Sequence, residues 1–140
     1  MGQDREQRNR RLLRARDAID RRYAEPLDVP ALAGIACLSE AAFIRAFRDT
    51  FGETPHRYLQ RRRIERAMSL LRTTELDVVD VCTAVGLSSL ATFTRTFREV
   101  VGQTPAAFRA GAPRERVPVC FEKAWARPSS FGQPRDEPAA

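Results

Sequence analysis

Arg45 and Arg48 return fifty positions later as Arg95 and Arg98, and each pair sits in matching text: Phe43-Ile44-Arg45-Ala46-Phe47-Arg48, then Phe93-Thr94-Arg95-Thr96-Phe97-Arg98. A guanidinium is a planar, permanently charged fork, so it can grip two acceptors at once, whether phosphate oxygens or O6 and N7 of guanine. Ahead of each pair stand a small residue, Ala41 or Ala91, and the hydroxyls Ser39, Ser88 and Ser89. No comparable set exists for bond-breaking chemistry. His56 is the single histidine and has no carboxylate or cysteine spaced to partner it. Cys37, Cys82 and Cys120 are far apart and lack the paired spacing of a zinc site or a disulfide framework. The expectation is therefore a chain with no catalytic residue, metal or cofactor, in which Cys37 and Cys82 are small core side chains.

These arginines belong to a longer repeat. Residues 27–55 and 76–105 are two versions of one unit, the second longer by one residue. Within the first, Asp28 reads as an N-cap, Val29, Leu32, Ile35 and Ala36 as the inward face of a short helix, and Cys37-Leu38 as a turn. Ser39 caps a second helix with Phe43, Phe47 and Phe51 on one side. Two short helices joined by such a turn make a helix-turn-helix. The second copy repeats the grammar: Asp77 caps, Val78, Val81, Cys82 and Val85 face inward, Gly86-Leu87 turn, and Ser88 or Ser89 caps a helix burying Phe93, Phe97 and Val101.

Gly52 and Gly102 end the second helix of each copy, and Thr54-Pro55 and Thr104-Pro105 each open the next helix. Between the copies, Pro55 to Thr73 forms a long linker helix carrying Arg57, Arg61, Arg62, Arg63, Arg66 and Arg72. Upstream, Leu12, Ala15, Ile19 and Tyr23 recur at helical spacing from Arg5 to Ala24, until Pro26 stops the helix. The expected fold is all-α, with about seven helices. Residues 1–53 form the N-terminal helix and first helix-turn-helix, 54–74 the linker, 75–111 the second helix-turn-helix and 112–140 a mostly non-globular, proline-interrupted tail. That tail holds Cys120 among Val117, Val119, Phe121 and Trp125, a set that either docks on a partner surface or folds back loosely.

Size and charge agree with a binding module. The 140 residues leave no room for a sizeable catalytic core, and the net charge of +6 rests almost wholly on arginine, since Lys123 is the sole lysine. A GC-rich genome would account for part of that bias. No apolar stretch is long enough to span a membrane and no signal peptide is evident, so a cytoplasmic, nucleoid-associated protein is expected.

The linker run Arg63-Ile64-Glu65-Arg66-Ala67-Met68-Ser69-Leu70-Leu71, and the stretch from Val85-Gly86-Leu87 through Phe93-Thr94-Arg95-Thr96-Phe97-Arg98 to Gly102-Gln103-Thr104-Pro105, resemble the DNA-binding region of AraC/XylS-type transcription regulators. The resemblance spans Leu12 to Arg109. It implies homeodomain-like three-helix units, double-stranded DNA as partner, and transcription control that often works through contact with RNA polymerase. It also implies base contacts from Ala41, Ile44, Arg45, Leu90, Ala91, Thr94 and Arg95. Phosphate contacts are expected from Ser39, Arg48, Arg62, Ser88, Ser89 and Arg98. Ala41, Ile44, Leu90 and Ala91 stand where family members often carry hydrogen-bonding side chains, so direct readout is expected to be thin, with more weight on the arginines and on DNA shape. Leu87 replaces a common aromatic. The chain has no residues left for a small-molecule effector domain and is expected to act as a stand-alone regulator, a monomer on DNA. An architectural DNA-binding protein with little sequence preference is the alternative.

Overall fold

A computed structural model of the chain describes residues 2–111. The expected 112–140 tail, with Cys120, lies outside the described residues. Those described form seven helices and no strand: α1 (Gly2–Arg21), α2 (Val29–Ile35), α3 (Glu40–Phe51), α4 (Pro55–Thr73), α5 (Val78–Ala84), α6 (Leu90–Val101) and α7 (Pro105–Gly111). The all-α expectation holds. α1 is shifted toward the N-terminus, ending at Arg21, so Tyr23 falls in the following turn rather than on the helix.

Burial divides the apolar residues into two cores. The first gathers Leu12, Ala15 and Ile19 of α1, Leu32 of α2, Phe43 and Phe47 of α3, and Tyr58 and Leu59 from the first half of α4. The second gathers Ile64, Ala67, Met68 and Leu71 from the rest of α4, Val81 and Cys82 of α5, Phe93 and Phe97 of α6, and Phe108 of α7. α4 therefore serves both cores. It closes the first with Tyr58, whose ring meets Phe47 edge-on at 5.8 Å, as Phe108 of α7 meets Phe97 at 5.6 Å in the second. Phe43, Phe47, Phe93 and Phe97 are fully buried. Truncating such a side chain costs about 3–5 kcal/mol, several times the worth of a helix cap.

Caps set where each helix starts. Asp28 accepts from Ala31 N at 3.0 Å, Ser39 from Ala42 N at 3.2 Å, Thr54 from Arg57 N at 3.2 Å and Ser89 from Thr92 N at 3.1 Å. Ser89, not Ser88, is thus the counterpart of Ser39, and Ser88 is the extra residue of the second copy. Asp77 departs from expectation: it occupies the N-cap position of α5 without making a cap hydrogen bond. Its carboxylate instead shares a hydrogen bond with Asp80, and that bond, with the charge of Asp77 next, raises the Asp80 carboxyl above its ordinary pKa.

Cys37 corrects a second expectation. It is exposed rather than buried, and its φ is 59°, whereas Cys82 is buried as expected. The reason is the turn. Leu38 N bonds Ala33 O and Leu87 N bonds Cys82 O, the same closing bond in both copies, which places Cys37 and Gly86 at the left-handed residue ending the first helix. Gly86 occupies it with φ 92° at little cost, and a Cβ there would lie 2.8 Å from both Cα and O of Ala24. The second turn is thereby pressed against the α1–α2 connection.

Candidate nucleic-acid interface

The chain axis turns through 77° between α2 and α3, so α3 stands across the rest of its unit and offers the side away from its phenylalanines to solvent. On that side Ala41, Arg45 and Arg48 are exposed and Ile44 is half-buried. On α6, Leu90, Ala91, Arg95 and Arg98 are exposed and Thr94 is half-buried. Leu90, Ala91, Thr94, Arg95 and Arg98, together with Glu99, line one open concavity, so five of the expected positions on α6 are brought together. No ion pair among the described residues engages Arg45, Arg48, Arg95 or Arg98. Their charge is available to an external anion.

Ser39 and Ser89 spend their hydroxyl acceptors on helix caps, while their exposed positions leave the hydroxyl protons free to donate. Ser88 is exposed beside Ser89.

The linker arginines behave differently. Arg62 is half-buried between Asp20, 3.1 Å from its Nε, and Glu65, which binds Nη1. Burial works against its charged form, but Glu65 and then Asp20 outweigh it and hold the guanidinium above its ordinary pKa. Arg61 is buried with Glu53, Nη2 to Oε2 at 2.9 Å, and also reaches Glu65 at 2.8 Å. Burial raises the Glu53 carboxyl, against the opposing pull of Arg61. Arg63, its pKa lowered by burial, donates to the carbonyls of Tyr23 at 2.7 Å and Glu25 at 3.0 Å. Arg61, Arg62 and Arg63 of α4 are thus each engaged by partners within the protein, Arg62 while still half-exposed.

Residues 32–111, more than half of the chain, match the helix-turn-helix domain family. Among solved structures, the DNA-binding domain of AdpA, a global transcriptional factor crystallised with a target DNA, is 34% identical with a TM-score of 0.70, covering 76% of this chain and 96% of that one. An AraC-type DNA-binding-domain regulator from Chromobacterium violaceum is 29% identical with a TM-score of 0.65, over 75% of this chain and 96% of that one. The chain belongs to the AraC-type helix-turn-helix family. Among curated relatives, the HTH-type transcriptional regulator AlkR of Acinetobacter baylyi is 37% identical over 65 residues, 46% of this chain. The chain spans 21% of that relative's length.

Several residues that frame this AraC-type surface were not legible in the sequence. Arg63 bonds carbonyls in the α1–α2 connection, and Arg109 donates to the carbonyls of Leu71 and Thr74, each at 3.0 Å, fastening α7 to the end of α4. Their partners lie 35–40 residues away, and no local pattern points to them. Glu40 could have been found: it is exposed in the first turn of α3, at the repeat position that Leu90 holds in α6. Among the described residues no group of three or more His, Cys, Asp or Glu could hold a metal, and no single helix is long and apolar enough to cross a membrane.

Proposed function

We propose that the chain binds double-stranded DNA sequence-specifically and regulates transcription, with α3 and α6 entering adjacent major-groove segments of one asymmetric site as a monomer. The observation that carries this reading is the repeated outer face, Ala41, Ile44, Arg45 and Arg48 on α3 against Ala91, Thr94, Arg95 and Arg98 on α6, with none of the four arginines in an ion pair among the described residues. A small residue lets the helix approach closely, and Arg45 and Arg95 each grip a guanine through O6 and N7. Ile44, Leu90 and Ala91 pack on thymine methyls, and Glu40 accepts from a cytosine amino group. Arg48 and Arg98, with Ser39, Ser88 and Ser89, hold phosphates and set the register.

Arg62 is assigned to the protein frame rather than to phosphate, because Asp20 and Glu65 already neutralise it. Regulation then calls for RNA polymerase as a second partner, met through faces that the duplex leaves open. The cytoplasm and its nucleoid are the setting this chemistry requires.

The apolar character of Ala41, Ile44, Leu90 and Ala91 favours one other reading, an architectural protein that bends DNA with little regard to sequence. Selection of bound duplexes from a random pool, followed by affinities for selected and scrambled DNA at one salt concentration, separates the two. A regulator gives a ratio of roughly 10³ or more. A ratio within about tenfold, judged against that same range, establishes the architectural reading in its place.

A further inference from the structure

Among the described residues four large apolar side chains are exposed: Leu13 at 44%, Leu76 at 38%, Val79 at 53% and Leu90 at 43%. Leu90 belongs to the DNA face already described. The other three fall into two patches of opposite charge. Leu13 lines a concavity on α1 with Arg10 and Arg14, and Asp17 in the same concavity is already held by Arg21. Leu76 and Val79 lie at the start of α5 among Glu75, Asp77 and Asp80, all exposed, and no cation engages these carboxylates among the described residues.

We propose that copies of this chain on neighbouring sites of one duplex dock head to tail, the arginine-flanked Leu13 face of α1 in one copy seating on the acid-flanked Leu76–Val79 face of α5 in the next. The proposal rests on the DNA-binding reading above. Each face supplies what the other lacks: the guanidiniums of Arg10 and Arg14 meet the carboxylates of Glu75, Asp77 and Asp80, none of them in an ion pair among the described residues, and a leucine meets a leucine and a valine. α1 packs in the first core and α5 in the second, so the contact runs from the first unit of one copy to the second unit of the next. Such a heterologous contact can propagate along a linear array. Covering three half-exposed apolar side chains and forming a few exposed ion pairs is worth too little to hold a dimer in dilute solution. On DNA, where translation and orientation are already restricted, it shows as cooperativity.

The test is a titration of the full chain on duplexes carrying one selected site or two direct repeats, with the spacing stepped by single base pairs through a helical turn. The second copy is expected to bind about tenfold more tightly than the first at one or two spacings. Arg14→Asp and Asp80→Arg should each bring that ratio to about one, and the double variant should restore it, since the ratio divides out any change in single-site affinity. A ratio of one for the unaltered chain at every spacing overturns the docking and leaves the α5 face to a basic segment of another protein. Loss of single-site affinity in Arg14→Asp with the ratio unchanged also overturns it, by making α1 a phosphate contact. Failure to bind a single site at all sinks the DNA reading itself, a result distinguishable from the other two.

Discussion

Arg45 and Arg95 divide the reading between two helices, so their losses are expected to be local. Arg45→Ala and Arg95→Ala should each cost about 1–3 kcal/mol at one base position and leave the other box unchanged, which selection of bound sequences with each variant measures. Unchanged base preference at every position in both variants would remove these arginines from the interface. The turn residues make a second pair. Gly86→Ala combines a left-handed φ with a Cβ 2.8 Å from the Ala24 backbone. It should destabilise by at least about 2 kcal/mol in denaturant unfolding. Cys37→Gly relieves the left-handed strain of about 1 kcal/mol but loosens the unfolded chain by a similar amount, so stability should stay within about 1 kcal/mol. A large loss in Cys37→Gly would show that the exposed thiol has a packing role.

At the scale of helices, the caps rank themselves. Ser89→Ala should cost about 1 kcal/mol, because it removes the acceptor for Thr92 N, while Asp77→Ala should cost under about 0.5 kcal/mol, because no cap bond is lost and a carboxylate crowding Asp80 is removed. Equal losses in thermal unfolding would contradict the cap assignment. This contrast also marks how far the sequence can be read. Helix order, both turns, the capping hydroxyls and the phenylalanine stripes are legible because each depends on neighbours within four residues. Cys37 passes for a core residue because the left-handed backbone that the turn demands there is visible only by laying Cys37 over Gly86. The buried roles of Arg61 and Arg63 stay hidden because composition cannot tell a guanidinium facing solvent from one spent on a distant carbonyl. The same limit applies to Arg62, since nothing local in the sequence places Asp20 beside it.

α4 joins the two units, and the ion pair near its start tests that joint. Arg61→Met leaves the buried Glu53 carboxylate only its longer contact with Arg57, at 3.9 Å, and should cost up to about 3–5 kcal/mol, whereas Glu53→Gln keeps an acceptor for Arg61, which also retains Glu65, and should cost less than half as much. The pH dependence comes from the raised Glu53 pKa. A carboxyl whose folded value exceeds its unfolded value favours folding when protonated. Its contribution is therefore complete below the unfolded value, near 4.5, and is lost as pH rises through the higher folded value. Stability should accordingly rise on mild acidification in the wild type relative to Glu53→Gln, and a difference between them that falls with acid would reverse the assignment. On DNA, log affinity should decline steeply with log salt, and replacing Arg48 or Arg98 should weaken all sequences alike and flatten the slope by about one. The 19 residues of α4 span about 28 Å, against roughly 34–36 Å between successive major-groove faces. One chain should therefore protect about two helical turns and either bend the duplex toward itself or leave one helix-turn-helix, the first with its apolar Ala41 and Ile44, loosely inserted, which footprinting and circular-permutation gels distinguish; a strict need for a dimer on a palindrome would defeat both. The Ala24–Gly86 approach and the grip of Arg63 on Tyr23 and Glu25 carry a further consequence, for how the chain is made. The surface on which the second turn closes leaves the ribosome some sixty residues ahead of that turn. Synthesis thus delivers the template before the part moulded on it, and a circular permutant that reverses this order should refold to the same structure but yield less native protein during translation.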